Sequence, residues 1–437
     1  MALAAVGFLS AQKSPELVVA VGAAPLALVI IAQVARKIEM GVVLIFASAA
    51  FVRLSIPTGT ESKVVASLVL TGIVVAFWVA RMLVVEKRLQ LKPAPTNLPL
   101  LGFICAAVIS LFWGIAFRDP LVVTWSTFPF VQLASLTVMI LLPGAFLLVG
   151  NCVEDIIWLK VMVGLVLVTG AIGLACEFWA ITIPVNVLGI FPMWAAAVSC
   201  ALAFFDRKLH PWKRVLLLAF SAGWIWYGYF RRLTWLAAWM PSFAALSVVS
   251  FRRSKWFIVP IVVASILVSR QYIETTYQGE MAISGQTRLA AWTQNWQVTS
   301  KHLLFGTGPA GYAAYYMSYF PSRAIASHSN YIDILSQTGI VGLFFHLCFF
   351  GALFWSGYRL CQRLKGQSDF MEGMANAAFA GTVGCIVAMG IGDWLYPFAY
   401  TQTIAGFDYA VYNWLLMGTI PALDFMTRPQ SAKAKQL

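Results

Sequence analysis

Apolar residues run along this chain in long blocks separated by short polar segments, and they seldom alternate with polar ones. Blocks of spanning or near-spanning length fall at about 16–35, 40–56, 63–85, 98–117, 128–150, 156–180, 185–205, 212–230, 233–250, 256–269, 332–358, 374–392 and 409–425. A helix needs roughly 20 apolar residues to cross a bilayer. The pattern therefore predicts an all-α polytopic membrane protein with about 12–13 transmembrane helices. Its expected organisation is a bundle of ten spans over residues 1–269, one long loop over 270–331, three last spans over 332–425 and a tail over 426–437.

Composition closes the soluble alternative. Of 437 residues, 60% are hydrophobic and only 11% charged, against roughly 25% charged in an ordinary soluble domain. The net charge of +13 would suggest nucleic acid in a soluble protein, but no basic cluster is interleaved with aromatics, so no nucleic-acid partner is expected. Membrane topology accounts for the charge. Counting alternate connections, 20 of the 30 Lys and Arg fall on one side, from Arg36 and Lys37 through Arg252, Arg253 and Arg363 to Lys435. The positive-inside rule makes that side cytoplasmic. The long loop then faces outward, as does the turn holding Arg231 and Arg232, and the C-terminal tail lies inside. No positive charge precedes the first apolar run, Ala2 to Leu9, so no cleaved signal peptide is expected. The seven cysteines are scattered without CxxC pairs or histidines at ligand spacing, which indicates neither a disulfide framework nor a zinc site.

Chemistry is sought in the long loop, since reactive groups concentrate on loops held by a rigid scaffold. Arg288 opens a segment in which Leu289, Trp292, Trp296 and Leu303 recur at about helical spacing. This predicts a short helix lying in the membrane interface, the level that tryptophan prefers. Residues Gly306-Thr307-Gly308-Pro309-Ala310-Gly311 formally match GxGxxG. With a proline inside and no βαβ pattern before it, the segment reads as a turn rather than a dinucleotide site. Tyr312, Tyr315, Tyr316 and Tyr319 suit either stacking against sugar rings or a place in the interfacial aromatic belt. His328, one of four histidines, sits in a Ser/Asn-rich turn just before a span. There it is either a solvated loop residue or a base for a hydroxyl proton, a task that imidazole chemistry suits. A triad with Ser327 or Ser329 and Asp333 is disfavoured, because residues this close in sequence rarely meet in triad geometry.

Arg231 and Arg232 stand on the face where positive charge is disfavoured by topology. They either snorkel to ordinary headgroups or hold a lipid pyrophosphate, whose oxygens suit the guanidinium fork. The intramembrane acids Glu177 and Asp393 are expected to pair with these arginines, to orient His328, or to serve packing alone.

The run Arg288…Trp292…Leu304-Phe305-Gly306-Thr307-Gly308, followed by Ser327-His328-Ser329-Asn330-Tyr331 and Leu335-Ser336-Gln337-Thr338-Gly339-Ile340-Val341-Gly342, resembles the loop-plus-helix module of the bacterial O-antigen ligase and polymerase family. The likeness in motifs covers roughly residues 231–345; elsewhere it extends only to hydropathy and span number. Ser329 stands where members often have Asn directly after the histidine, Gln337 where many carry Glu, and Phe230 where a serine is common.

The resemblance implies a glycosyltransferase of the bacterial cytoplasmic membrane. Its donor would be a glycan on undecaprenyl diphosphate, and its acceptor a hydroxyl of a glycan, glycolipid or protein. No cofactor and no metal are implied. Carried over by position, Arg231 or Arg232 and Arg288 hold the diphosphate, His328 is the base, and Asn330, Asp393, Glu177 and Tyr316 are supporting candidates. A polymerase of the same family differs only in its acceptor. From another class, a transporter or flippase would use the loop as a lid, although no inverted repeat or matched pair of broken helices is visible. A structural membrane scaffold is a further alternative.

Overall fold

A computed structural model describes residues 37–53, 55–57, 63–181, 185–232, 236–257, 259, 263, 288–320, 327–400 and 404–428, with the side chains of Leu236, Ala237 and Arg288 excepted. The expected spans at 16–35 and, apart from the turn Lys255–Phe257 and two isolated residues, at 256–269 lie outside this set. The described chain forms helices α1 (Ile38–Phe51), α2 (Ala66–Val84), α3 (Asn97–Ala116), α4 (Phe128–Cys152), α5 (Ile156–Trp179), α6 (Phe191–Phe205), α7 (Pro211–Trp226) and α8 (Leu236–Arg253). After these come α9 (Arg288–Thr299), α10 (Gly311–Tyr319), α11 (Asn330–Arg363), α12 (Phe370–Ile391), α13 (Phe407–Met417) and α14 (Thr419–Met426). One small hairpin, Ser55–Pro57 paired antiparallel with Lys63–Val65, accompanies them.

Six of these helices, α2, α3, α4, α5, α11 and α12, are long and apolar enough to cross a membrane. Their outward faces carry large apolar side chains, among them Val69, Ile73 and Phe77 on α2, Phe112 on α3 and Phe344 on α11. A bundle that leaves such surface uncovered is built for lipid. The chain is an all-α polytopic membrane protein.

Helices α6 and α12 form the centre, with α8 and α11 packed against α12 and α7 against α6. Nearly every residue of α6 is buried. Its Trp194 donates its indole N–H to Asn413 Oδ1 of α13 at 2.8 Å, and Trp414 of α13 donates to the Leu395 carbonyl at 3.1 Å. Interhelical bonds of this kind contribute about 0.6–2 kcal/mol each in a membrane interior. Helices α5 and α12 begin where Asp155 and Asp369 accept first-turn backbone N–H groups, which fits acidic caps at the positive end of the helix dipole.

The bundle has two chemically different ends. Arg363 binds Asp424 at 2.8 Å, Arg428 binds the same carboxylate and the Pro93 carbonyl, Lys92 meets Glu154 at 2.8 Å, and Lys208 meets Asp369 at 3.4 Å. Helix α12 rises from this basic end, where Arg252 bonds Asn376, to the opposite end, where the Met389 carbonyl accepts the Ser329 hydroxyl. Helix α8 runs antiparallel beside it, so that Arg252 is at the basic end and Pro241 lies level with Gly384. The chain just before α8, which carries Arg231 and Arg232, therefore shares the end that holds residues 327–330.

Several expected spans differ in detail. Residues 185–190 are non-helical, and the span there begins only at Phe191. The span at 409–425 is divided at Gly418 into α13 and α14. The most consequential difference is in α11, which is interrupted at Gly339 (φ +68°). The backbone groups freed there bond to residues 303–308: Ile340 N–H to Leu303 O at 2.7 Å, Val341 N–H to Leu304 O, Thr307 N–H to Ser336 O at 2.9 Å and Gly308 N–H to Gln337 O at 3.0 Å. The Ser110 hydroxyl of α3 also donates to Gln337 O. A Cβ on Gly339 would come within 2.3 Å of the Leu304 carbonyl oxygen. Gly339→Ala is thus expected to lower stability by about 2 kcal/mol or more, from left-handed strain and this contact. Gly351→Ala, on the same helix with open space around it, should leave stability unchanged or raise it by up to about 1 kcal/mol. Thermal unfolding in mild detergent distinguishes the two.

Candidate functional site

Above the bundle, at the end opposite the basic one, lies a second apolar cluster. Val122, Phe128, Val298, Phe398 and Tyr312, Ala313, Ala314, Tyr315 and Tyr316 of α10 form it, with Tyr319, Phe320 and Tyr400 around its edge. The loop tyrosines thus form the core of a cap. Tyr312, Tyr315 and Tyr316 are all buried, and Tyr316 donates its hydroxyl to Gln294 Oε1 at 3.0 Å. Helix α9 packs on α10 and α11, and its stripe from Leu289 to Trp296 faces outward at both ends, as an interfacial helix requires.

The break in α11 ties this cap to the bundle. Gln337 links both sides of it: its side-chain oxygen accepts the Ala310 N–H at 2.7 Å, and its amide donates to the Asp333 carbonyl at 3.1 Å. The Gly-rich segment is a turn, as its glycines suggested. Gly306 has φ +71°, and a Cβ there would sit 2.5 Å from the Gln337 carbonyl.

His328 is exposed and has φ +48°, a left-handed conformation uncommon for residues other than glycine, though histidine is among those enriched there. Both its neighbours are buried and pinned. The Ser327 hydroxyl donates to Asp333 Oδ1 at 2.5 Å, and the Ser329 hydroxyl donates to Met389 O at 3.2 Å. Ser327 and Asp333 thus meet directly, and this pair anchors the turn while His328 projects away from it. A strained backbone held by its surroundings is a marker of functional sites.

Asn330 fixes the far side of the turn. Its side-chain amide donates to the Tyr396 carbonyl at 2.7 Å, its side-chain oxygen accepts the N–H groups of Leu395 and Tyr396, and its own N–H bonds the Gly392 carbonyl. Asp393, between those partners, is buried. On the other side, the indole of Trp292 donates to the Ser327 carbonyl at 2.8 Å. Arg288 begins the same helix, four residues and so about one turn earlier on the same face; its side chain lies outside the described residues. The helix that carries Arg288 is therefore bonded directly to the turn that carries His328.

Arg231 and Arg232 close a π-helical turn, Tyr227–Arg231, appended to α7. Such widened turns recur at functional positions. Both arginines are exposed. Arg232 donates Nε–H to the Tyr227 hydroxyl at 2.9 Å and lies 3.9 Å from Glu177, the acid expected to pair here. Both partners are substantially exposed, so this ion pair contributes little to stability.

Asp119 and His302, to which sequence reasoning gave no role, form a polar cluster with Tyr319 in the cap. Asp119 Oδ2 accepts the Tyr319 hydroxyl at 2.5 Å and Oδ1 accepts the Leu121 N–H at 3.0 Å. These bonds hold the Asp119 carboxyl below its ordinary range, and the carboxylate pushes the Tyr319 hydroxyl up to about 12. His302 packs edge-on against Tyr315, ring centroids 4.8 Å apart, and burial lowers its pKa. The aromatic and histidine content was visible in sequence, but the approach of Asp119 across nearly two hundred residues was not. Among the described residues, no group of three or more His, Cys, Asp or Glu side chains is placed to hold a metal ion.

Fold and site together define a multi-pass membrane protein that carries, at one end of its bundle, an aromatic cap, an exposed histidine in a left-handed conformation and two exposed arginines. Residues 215–347, under a third of the chain, match a family described as O-antigen ligase. No curated protein matches the chain. The matched segment takes in Arg231, Arg232, α9, helix α10 of the cap and the broken helix as far as Leu347.

Asn330→Leu removes the bonds that hold residues 392–396 and leaves buried backbone groups unpartnered. It should lower stability by about 2–4 kcal/mol. Arg232→Ala should cost less than about 1 kcal/mol. Thermal unfolding of each purified variant measures both.

Proposed function

We propose that the protein transfers a glycan from undecaprenyl diphosphate to an acceptor hydroxyl on the outer face of the bacterial cytoplasmic membrane. Transfer is metal-independent and inverts the anomeric carbon. The observation that carries this reading is the tether from Trp292 to Ser327, which joins the helix of Arg288 to the turn of His328 at the same end of the bundle as Arg231 and Arg232. The sidedness rests on the positive charge gathered at the opposite end.

In this mechanism the donor's polyprenyl tail lies along the apolar exterior, and its diphosphate rests against the arginines. The His328 imidazole takes the proton of the acceptor hydroxyl as the oxygen attacks the anomeric carbon. The bond from that carbon to the phosphate oxygen breaks on the opposite face, and the electron pair leaves with the diphosphate. Guanidinium groups stabilise that growing charge, and their fork matches the phosphate oxygens. His328 later returns its proton to solvent. The left-handed turn supports this role because it holds the imidazole outward without letting it fold back on α11.

The test is transfer by purified protein in lipid vesicles, with lipid-linked glycan and acceptor supplied. His328→Ala should lower transfer by about 10²–10⁴-fold while donor binding survives; transfer at the wild-type rate would remove His328 from the mechanism. Arg232→Ala, or its Arg231 counterpart, should weaken donor binding, with poor rescue by lysine because the fork is lost. Activity should also withstand a chelator, whereas loss restored by Mg²⁺ or Mn²⁺ would argue for a metal-dependent enzyme. Products separate the two family activities: a capped acceptor indicates a ligase, a longer chain on the carrier a polymerase.

A further inference from the structure

The cap contains a cavity of about 120 Å³ that the transfer mechanism does not use. Its walls are Asp119 from the connection between α3 and α4, Gln297 and Val298 of α9, Lys301 and His302 just after it, Tyr315 and Tyr319 of α10, and Phe320 just beyond that helix. We propose that this cavity is a carbohydrate subsite, holding a sugar of the glycan at a distance from the linkage that reacts. The proposal rests on the glycan-transfer reading above and extends it to a second part of the substrate.

The lining is chemically mixed in the manner that hydroxyl-rich ligands require. The Asp119 carboxylate is oriented by Tyr319 and Leu121 and keeps acceptor capacity on both oxygens. His302, its basicity reduced by burial, offers one donor and one acceptor as a neutral ring. Gln297 is exposed and offers both as well, and Lys301 adds an ammonium 5.9 Å from the Tyr319 ring. The half-buried rings of Tyr319 and Phe320 supply apolar faces for C–H groups. Two other ligand classes fit poorly. A phosphate would face the Asp119 carboxylate with a single lysine to offset it. A transition metal would find one carboxylate and one imidazole, short of the three protein ligands that even an open site uses.

The cavity is also preformed. The Asp119 N–H bonds the Tyr315 hydroxyl at 3.1 Å and the Val123 N–H bonds Ser318 Oγ at 3.0 Å, which pins the connecting loop to α10 at two points. A site built in advance loses less entropy on binding. Its placement suits an extended glycan. Gln297 lies five residues beyond Trp292, the residue bonded to the His328 turn, or about 8 Å along the helix axis and about 140° around it, which sets the cavity apart from that turn.

The experiment uses full-length protein in lipid nanodiscs. The probe is the oligosaccharide released by mild acid from the host cell's own lipid-linked glycan, free of lipid and phosphate. Saturation-transfer NMR should show saturable binding to wild type. Gln297→Trp, which fills the mouth from an exposed position, and His302→Ala should each weaken it by about ten-fold or more. Thr293→Ala, on the exposed side of the same helix, should not. In the transfer assay Gln297→Trp should raise KM for the glycan far more than it lowers kcat. No saturable binding to wild type, or equal binding to wild type and Gln297→Trp, overturns the proposal. Pocket-dependent binding without any transfer would instead count against the transferase reading and leave the subsite standing. Transfer with an unchanged KM in Gln297→Trp would sink the subsite alone.

Discussion

In hydrocarbon a backbone N–H or C=O without a partner costs several kcal/mol, and a helix that breaks inside a membrane protein must find new partners for each group it frees. Helix α11 breaks at Gly339, and residues 303–308 supply those partners one for one: two carbonyls for Ile340 and Val341, two N–H groups for Ser336 and Gln337. This exchange docks the loop on the bundle. It fixes where α9 ends and α10 begins, and so where the aromatic cap sits. Gln337 extends the same lock with its side chain, from the Ala310 N–H on one side to the Asp333 carbonyl on the other.

From that lock the geometry of the site follows in short steps. The first half of α11 is held in place, and its first turn positions Asp333 to receive the Ser327 hydroxyl. Asn330 grips residues 392–396, and Trp292 reaches back to Ser327. His328 sits between these anchors in a left-handed conformation. Bonds to its neighbours do the positioning, and His328 itself is left exposed. The arginines are treated differently: Arg232 rests lightly on Tyr227 and Glu177, an arrangement that an anionic ligand can displace at small cost.

Much of this was legible in the chain. Blocks of apolar residues predict where α2 to α5 run to within a few residues, because a membrane span needs little beyond length and hydropathy. The turn at Gly306 and the helix from Arg288 follow from local residue type. The resemblance drew attention to the same segment that the family match covers. Other features depend on contacts far apart in sequence. The break at Gly339 looks like any glycine in an apolar run until Leu303 and Thr307 are brought against it. The tyrosines read as sugar-stacking or interfacial rings, and Tyr312, Tyr315 and Tyr316 are instead covered by the connection at 118–128 and by Phe398. Asn330 reads as a supporting polar residue, and only the folded chain reveals its bonds to residues 392–396 as the reason for that asparagine. His302 carries no distinguishing mark in the sequence, because Asp119 and Tyr315, which give it context, come from other elements.

The central claim is that one end of the bundle gathers a guanidinium clamp and an imidazole around a single lipid diphosphate. A structure of the protein in nanodiscs with its lipid-linked donor bound tests this most directly. The account predicts diphosphate density between Arg231 or Arg232 and Arg288, with the His328 imidazole able to reach an incoming hydroxyl at about 2.6–3.2 Å. Diphosphate density at the basic end among Lys92, Arg363 and Arg428, or a His328 ring with protein between it and the bound phosphates, would contradict it.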